Sequence, residues 1–531
     1  MSPVVTRRSS VVVMRAASSS SAQRNTAMLV LSPSRLRLRD NAALTKAAEL
    51  GTDGLCISLV WPYSTTHQLT PAEAFGFAAT RALNDELESL GQTLQLFPSQ
   101  DDLVQVVQEL SPCHLVVDTC LLDMHHNHAK TLSEKLLAVT NATNVLEVMD
   151  DGTLVSFNDV AKILGRSRQG GRILRWSTFL NNTMKEQLEF EQHFRPIPSL
   201  PPPLHNDPSD LATTTLPIPS VDTFPLWAKQ LLEDWGDISE AEAMRRVINS
   251  GNQTKEQDSS FSSSLTEKGS RNTKLSPYLR WGIISPQQCA HNGVRLRDLL
   301  WRDWSHVSYA LLAPLRRGEA VMEFMNNSCS CRQQHDMQDV SDTDLFHLWC
   351  VGNTGFTLVD AGMRQLWKQG WMPRRIRLLA AACLVEGLGL DWRLGRDWFK
   401  NTLVDHDPAI NEAMWQNAGL VGVDPFYAGI TFEQPPTTEQ DQAYVDKWSN
   451  ESLIWPSFLK TYATMKPPSQ IVELAESRRK ELRDKGIYKA ARRVSNAGVR
   501  VAWDGLSSTT SSVEAGEVIG IGLVHVHELE I

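Results

Sequence analysis

Between residues 28 and 119 short apolar runs alternate with amphipathic stretches, and this alternation limits the fold more than any other feature of the chain. "MLVLS" (28–32) precedes "RDNAALTKAAEL", "GLCISLVW" precedes a helical pattern over about 72–91, and "TLQLF", "DDLVQVVQEL" and "HLVVDT" continue the series. Strand, helix and strand in repetition call for right-handed crossovers and a parallel sheet, because tight turns cannot join parallel neighbours. Residues 28–155 are therefore expected to form a doubly wound, Rossmann-like α/β domain. Such sheets take ligands at the carboxyl ends of their strands. No G-x-G-x-x-G or P-loop pattern says which ligand that would be.

Beyond residue 273 the pattern changes period. "FTLVDAGMRQLWKQG" sets Leu358, Gly362 and Leu366 on one stripe, and "RRIRLLAAACLVEGLGL" does the same with Ile376, Leu379 and Cys383. Spacings of three and four residues indicate helices, so residues 221–465 are expected to be all-α. Between the two domains, 156–220 reads as a connector, with a proline-dense extended part over 196–220. Residues 466–531 read as a C-terminal extension that opens with the charged helix "VELAESRRKELRDKG".

A chain of 531 residues has room for two or three such domains. No apolar run approaches the ~20 residues of a membrane-spanning helix. The net charge of −9 argues against indiscriminate nucleic-acid binding. The eight cysteines have no metal-ligand rhythm; Cys329 and Cys331 form a lone C-x-C, so no metal site is expected. The first 39 residues hold seven arginines, nine serines and no acid. Residues 1–27 accordingly read as a plastid or mitochondrial transit peptide, or else a disordered basic tail, and are left outside the fold. A nuclear or cytoplasmic address is the alternative.

Several residues in the helical part could carry chemistry, and each has an ordinary structural reading beside it. Ser276–Pro277 looks like an N-cap serine followed by a first-turn proline, a start that can bind an anion but usually only caps. Arg375 and Arg377 open a helix, and Asp405 and Asp407 lie in "VDHDPAIN". A buried arginine needs a carboxylate, so an Arg377–Asp405 pair is expected, either at a site or as a plain structural ion pair. Trp392, Trp398 and Trp415 could be core.

Taken together, "WRDW", "LWCVGNTGFTLVDAGMRQLWKQGWMPRRIR", "DWRLG" and "LVDHDPAINEAMWQNAG" resemble, in this order, the flavin domain of the cryptochrome/photolyase family. The resemblance spans roughly 28–465 and is most specific over 273–424. It implies FAD as cofactor, and an antenna chromophore of folate or deazaflavin type whose binding residues do not transfer. Thr273, Leu275 and Ser276 would cradle the FAD phosphates, with Arg302 nearby. Arg377 and Asp405 would lie beside the flavin ring, Asp407 at its edge or ribose, and Asn411 next to flavin N5. An amide there cannot deliver a proton as an acid could. Trp415 and Trp392 match the proximal and middle members of an electron relay. The distal position falls near Asp339–Val340, where no tryptophan occurs, which leaves Trp349, Trp371 or Trp398 as stand-ins.

The same resemblance separates repair from signalling. Photolyases hold a flipped pyrimidine dimer between flat tryptophans. Trp301 matches one of these and Asp298 stands in place of the catalytic glutamate. Asn417 replaces the second tryptophan, and Pro373–Arg374 replaces the histidine-bearing pair that repair uses. Residues 271–430 hold 17 Lys and Arg against 16 Asp and Glu, so any DNA-binding face would have to concentrate its cations on one side. The expectation is a cryptochrome-type blue-light photoreceptor with a signalling protein as partner. Repair of cyclobutane dimers in damaged DNA is the alternative, and a flavin-bearing interaction protein without photochemistry is the third reading.

Overall fold

The computed structural model describes residues 10–15, 25–61, 69–119, 135–136, 138, 144–149, 152–155, 157–166, 171–185, 195–204, 217–256, 273–322, 341–501 and 520–521. Two compact units emerge. The first comprises residues 1–157, 188–255 and 273–300, the second 158–187, 256–272 and 301–531.

In the first unit the expected alternation appears as β2 (Thr26–Leu31), α1 (Ala42–Leu50), β3 (Gly54–Val60), α2 (Pro71–Ser89), β4 (Leu94–Phe97), α3 (Gln100–Leu110) and β5 (His114–Thr119). β6 (Asn144–Met149) adds a fifth parallel strand, and β1 (Ser10–Arg15) pairs antiparallel with β6 at the edge. The sheet order is β1-β6-β5-β2-β3-β4. β1 corrects the expectation that residues 1–27 lie outside the fold: "SVVVMR" is a β-branched run, and the flanking arginines and serines masked it. β2 and β3 are buried almost throughout, as strands covered on both faces should be. The strand order reverses between β2 and β5, where α/β sheets open a crevice. Arg35 and Asp118 are buried beside these strands and form an ion pair of 2.6 Å, and the Ser32 N–H donates to the same carboxylate.

The reading of 156–220 as a connector holds for only part of it. Residues 195–204 are extended, with the Leu55 N–H donating to Pro202 O and the Leu204 N–H to Leu55 O. Residues 158–187 instead fold within the second unit. α4 (Phe157–Ile163) leads into β7 (Gly165–Arg166) and β8 (Arg172–Leu174), and α5 (Trp176–Lys185) follows. α6 (Leu226–Trp235), α7 (Glu240–Glu256), α8 (Ser276–Arg280), α9 (Pro286–His291) and α10 (Leu296–Leu311) come next, and the unit boundary falls inside α10.

The rest of the second unit is helical: α11 (Ala313–Arg317), α12 (Asp342–Val351), α13 (Thr357–Gln369), α14 (Arg374–Ala382), a π turn (Cys383–Gly387), α15 (Trp392–Thr402), α16 (Pro408–Ala418), α17 (Glu439–Ser449), α18 (Ser457–Thr464), α19 (Gln470–Asp484) and α20 (Ile487–Ala497). Leu358, Leu366, Ile376 and Leu379 lie in one core, as their stripes required. Ile471, Leu474 and Leu482 of α19 join them, so the start of the expected C-terminal extension is core. β9 (Val499–Val501) pairs with β8 and with β10 (Gly520–Ile521), closing a small antiparallel sheet in which 165–174 meets the end of the chain. Cys329 and Cys331 lie outside the described residues.

Candidate functional site

In the first unit, Thr273, Leu275 and Ser276 form the entry to α8. The Leu275 N–H donates to Thr273 Oγ1 at 3.4 Å, and Lys274 takes a left-handed φ of 48°. Leu275 is the N-cap and makes no side-chain cap bond. Ser276 is the first helical residue and is exposed, which corrects its reading as N-cap. Asp298 is likewise exposed, in the first turn of α10.

The second unit brings together most of the remaining residues. The expected ion pair is present. Arg377 grips Asp405 with both terminal nitrogens, at 3.1 and 2.7 Å, and its Nε donates to Met372 O. The Asp405 side chain is 2 % exposed, so this is a two-point, charge-assisted contact largely shielded from water. Asp407 caps α16: Oδ1 accepts from the N–H groups of Ala409 and Ile410. Its Oδ2 meets His306 Nε2 at 2.9 Å. Pro408 follows at the first helical position, where a missing N–H does no harm.

His306 was not anticipated. It lies one turn after Arg302 on α10, in "RDWSH", and that spacing was its only signal. Arg302 is buried and approaches Asp303 at 3.8 Å.

Asn411, one turn into α16, is buried, and its Nδ2 donates to Arg396 O at 3.0 Å. This commits the donor side of the amide to protein, while Oδ1 has no partner among the described residues. Arg396 also pairs with Glu412. Burial raises the Glu412 carboxyl, and hydrogen bonds from Gln416 and Arg396 pull it partly back.

Trp415 and Trp392 are both buried and are held by reciprocal packing of α15 and α16. A Cβ on Gly395 would collide with the Trp415 ring, and one on Gly419 would come within 2.6 Å of Trp392. Each indole therefore lies on bare backbone of the other's segment, a closeness only glycine permits. The rings then diverge in their company. Trp415 meets Phe399 edge-on at 5.0 Å and Trp349 at 6.2 Å. Trp392 is faced by the guanidinium groups of Arg393 at 4.6 Å and Arg396 at 5.3 Å, and its buried Nε1–H has no partner among the described residues.

Trp301, on the other side of α16, is half-buried. Its Nε1 contacts Met414 Sδ at 3.4 Å, Trp176 packs edge-on at 4.6 Å, and the Arg374 guanidinium covers the ring at 5.3 Å. Arg374 also donates to Tyr427 Oη. Asn417, near the end of α16, is turned toward the segment that follows the helix, with Oδ1 accepting the Asp424 N–H at 2.9 Å. Trp301, Asn417, Ser305 and Ser308 help line a cavity of about 10 Å³. That is the room of one water, and the buried Ser308 Oγ has no other partner among the described residues. Asp339 and Val340 lie outside the described residues. Among the described residues no cluster of three or more His, Cys, Asp and Glu could hold a metal ion.

The second unit thus offers a largely buried Arg–carboxylate clamp that ties α14 to the turn before α16, and on α16 an amide with an uncommitted acceptor and an oxidisable indole. This donor set suits the polar edge of a flat redox heterocycle.

Comparison with known proteins points the same way. The family model described as the FAD binding domain of DNA photolyase matches residues 295–482. The deoxyribodipyrimidine photo-lyase of Alkalihalophilus pseudofirmus is 32% identical over 208 residues, 37% of this chain and 41% of that protein. That of Escherichia coli K12 is 26% identical over 511 residues, 88% and 99%. The rice protein named cryptochrome DASH, chloroplastic/mitochondrial, is 31% identical over 196 residues, 34% and 32%. Against the first four relatives, the match spans between 34% and 50% of their length. Two solved structures share the fold. A class III photolyase from Agrobacterium tumefaciens has a TM-score of 0.66 at 24% identity, covering 89% of this chain and 99% of its own. A cryptochrome from Synechocystis has a TM-score of 0.61 at 19%, covering 86% and 98%.

Proposed function

Because the chain belongs to the cryptochrome/photolyase family, we propose that it is a blue-light photoreceptor of cryptochrome type, with Trp415 as electron donor to a bound FAD. When bound, FAD supplies blue-light absorption and a strong excited-state electron acceptor. Arg377 and Asp405 would hold the polar edge of its ring system, with Asn411 offering Oδ1 as acceptor and Arg302 serving its phosphates. Asp407 acts first as the cap that fixes α16 and so sets Asn411 and Trp415. Trp392 is the expected second member of the relay. Antenna light, if gathered, would come from a folate or deazaflavin pigment.

The observation that carries the receptor reading over repair is the state of the Trp301 side. Arg374 lies over the indole, Asn417 is tied to Asp424, and the cavity beside them is water-sized, whereas a flipped dimer needs a tryptophan-walled slot. Repair remains the second reading, favoured by the match along nearly all of the Escherichia coli photo-lyase and by the presence of Trp301. Its substrate would be damaged DNA; the receptor's partner would be a protein. No described helix is long and apolar enough to cross a membrane. The deciding experiment is repair of a thymine-dimer oligonucleotide under blue light with a reductant. A receptor leaves the dimer intact while its own absorption changes; restored thymines would establish the second reading.

For location, the acid-free leader and the name of the rice relative favour plastid or mitochondrion. A leader cleaved after residue 15 would remove β1 and leave β6 as the sheet edge. Mass spectrometry of the mature N-terminus tests this, and an intact Ser10–Arg15 would contradict cleavage there.

A further inference from the structure

We propose that the electron lost by Trp415 is replaced along a second aromatic row, from Trp349 outward to a stack of three indoles, Trp398, Trp367 and Trp455. The inference rests on the reading of Trp415 as donor above, with a photoexcited flavin as the one-electron oxidant.

Trp415 and Trp349 have ring centroids 6.2 Å apart, with Phe399 against both. Phe346 stacks on Trp349 at 6.0 Å and meets Trp398 edge-on at 6.3 Å. Trp398 lies parallel to Trp367 at 5.9 Å, and Trp367 to Trp455 at 4.9 Å, with interplanar angles of 14° and 20°. The two phenylalanines are too hard to oxidise to carry the charge, but they fill the gaps between indoles with polarisable rings.

Electrostatics favours this branch over Trp392. An indole that gives up an electron becomes a cation, and Trp392 would do so against two guanidinium groups. Asp391, Asp397 and Glu412 offset part of that field, but the cations are what face the ring. The Trp349 N–H instead donates to Ala380 O at 2.9 Å, and a carbonyl dipole stabilises positive charge on the ring. At the far end, stacked indoles share the charge and hold it more cheaply than a single ring.

Each step moves one electron. Trp349 reduces the oxidised Trp415 and becomes the radical cation, Trp398 then reduces Trp349, and the positive charge spreads over Trp398, Trp367 and Trp455. A soluble thiol or ascorbate-type reductant then returns one electron to the stack, and an indole that has meanwhile released its N–H proton to solvent takes one back with that electron. Trp367 and Trp398 are half-buried, and the Trp367 N–H donates to the carbonyl of exposed Ile454, so the stack reaches the rim.

The test is peptide mapping of oxidised tryptophan in the full-length flavin-loaded protein, illuminated in air without reductant. Hydroxytryptophan and kynurenine should accumulate at the stack, and Trp349→Phe should reduce them several-fold. The half-buried Trp398→Phe serves if the Trp349 variant fails to fold, and should lower the marks on Trp367 and Trp455. In the dark, ruthenium(III) tris-bipyridine prepared beforehand by chemical oxidation needs no flavin; it should mark the stack several-fold more than the exposed Trp227. Flavin reduction that persists with marks confined to Trp392 overturns the row. Marks from ruthenium but none from light leave the row standing as a charge sink and sink the photochemical reading of Trp415.

Discussion

The two sides of α16 have fared differently. One carries Asp407, Asn411 and Trp415, each buried and bound into neighbouring segments by His306, the Arg396 carbonyl and Gly395. The other carries Met414 and Asn417 toward Trp301, whose ring is covered by the Arg374 guanidinium while Asn417 is held by the Asp424 N–H. A cofactor edge needs fixed donors and acceptors, and these are present. On the proposed reading a substrate mouth would need open space, and the cavity lined by Trp301 and Asn417 has room for a single water. On the reading proposed above, one helix would carry a cofactor wall on one face and a closed mouth on another, because its faces meet different neighbours.

The hardest blow to the contrast is Asp405→Ala. It strands the Arg377 guanidinium, a loss of about 3 kcal/mol for a mostly buried pair, and should abolish flavin retention. Thermal melting and the flavin-to-protein ratio read this out, and a variant that keeps its flavin would remove Asp405 from the cofactor wall.

Glu386 lies off both walls and measures how far plain stability mimics a site effect. It sits in the π turn and accepts from the Gly429 N–H and Tyr488 Oη, with Arg479 at 3.8 Å. Burial nonetheless pushes its carboxyl from 4.5 up to about 7. The folded chain then holds a proton that the unfolded chain has lost, so this contribution is complete below pH 4.5 and is lost as pH rises through 7. Glu386→Gln should flatten that slope by on the order of 3 kcal/mol. Denaturant melts at pH 5 and pH 8 check it, and equal slopes in both proteins would contradict it.

Gly395→Ala should displace the Trp415 ring at a cost of about 1–3 kcal/mol and slow light-driven reduction without changing bound flavin colour. Unchanged photoreduction would mean the ring can shift without consequence. The smallest effect is expected on the substrate side. Asn417→Trp combined with Arg374→Asn should add stacking worth about 1–3 kcal/mol per base to dimer-containing oligonucleotides and leave flavin content alone. Fluorescence anisotropy measures it, and no gain in affinity would mean that more than these two residues closes the mouth.

Much of this was legible in the chain. The apolar alternation marked four of the six strands of the larger sheet, β2 to β5, because local pattern and buried parallel sheet agree. Arg377–Asp405 could be read because a buried charge has to find its opposite. β1 could not, since a β-branched run among arginines and serines looks like a leader. Residues 158–187 looked like linker because their strands, β7 and β8, are too short to show a period and complete a sheet with β9, more than 300 residues away. The glycine–indole interlock was invisible because a glycine in a helical stretch has no side chain to announce a contact. The indole row was hidden for a different reason. Trp349, Trp398, Trp367 and Trp455 lie on separate segments, and periodicity tells which face is buried but not which neighbour it meets.

The central claim, a light-reducible flavin wired through Trp415, is tested most directly by the absorption spectrum of the purified protein before and after blue light. The account predicts oxidised-flavin bands that bleach on illumination in the native chain and persist in Trp415→Phe. A colourless protein, or bands that bleach equally in both, would contradict it.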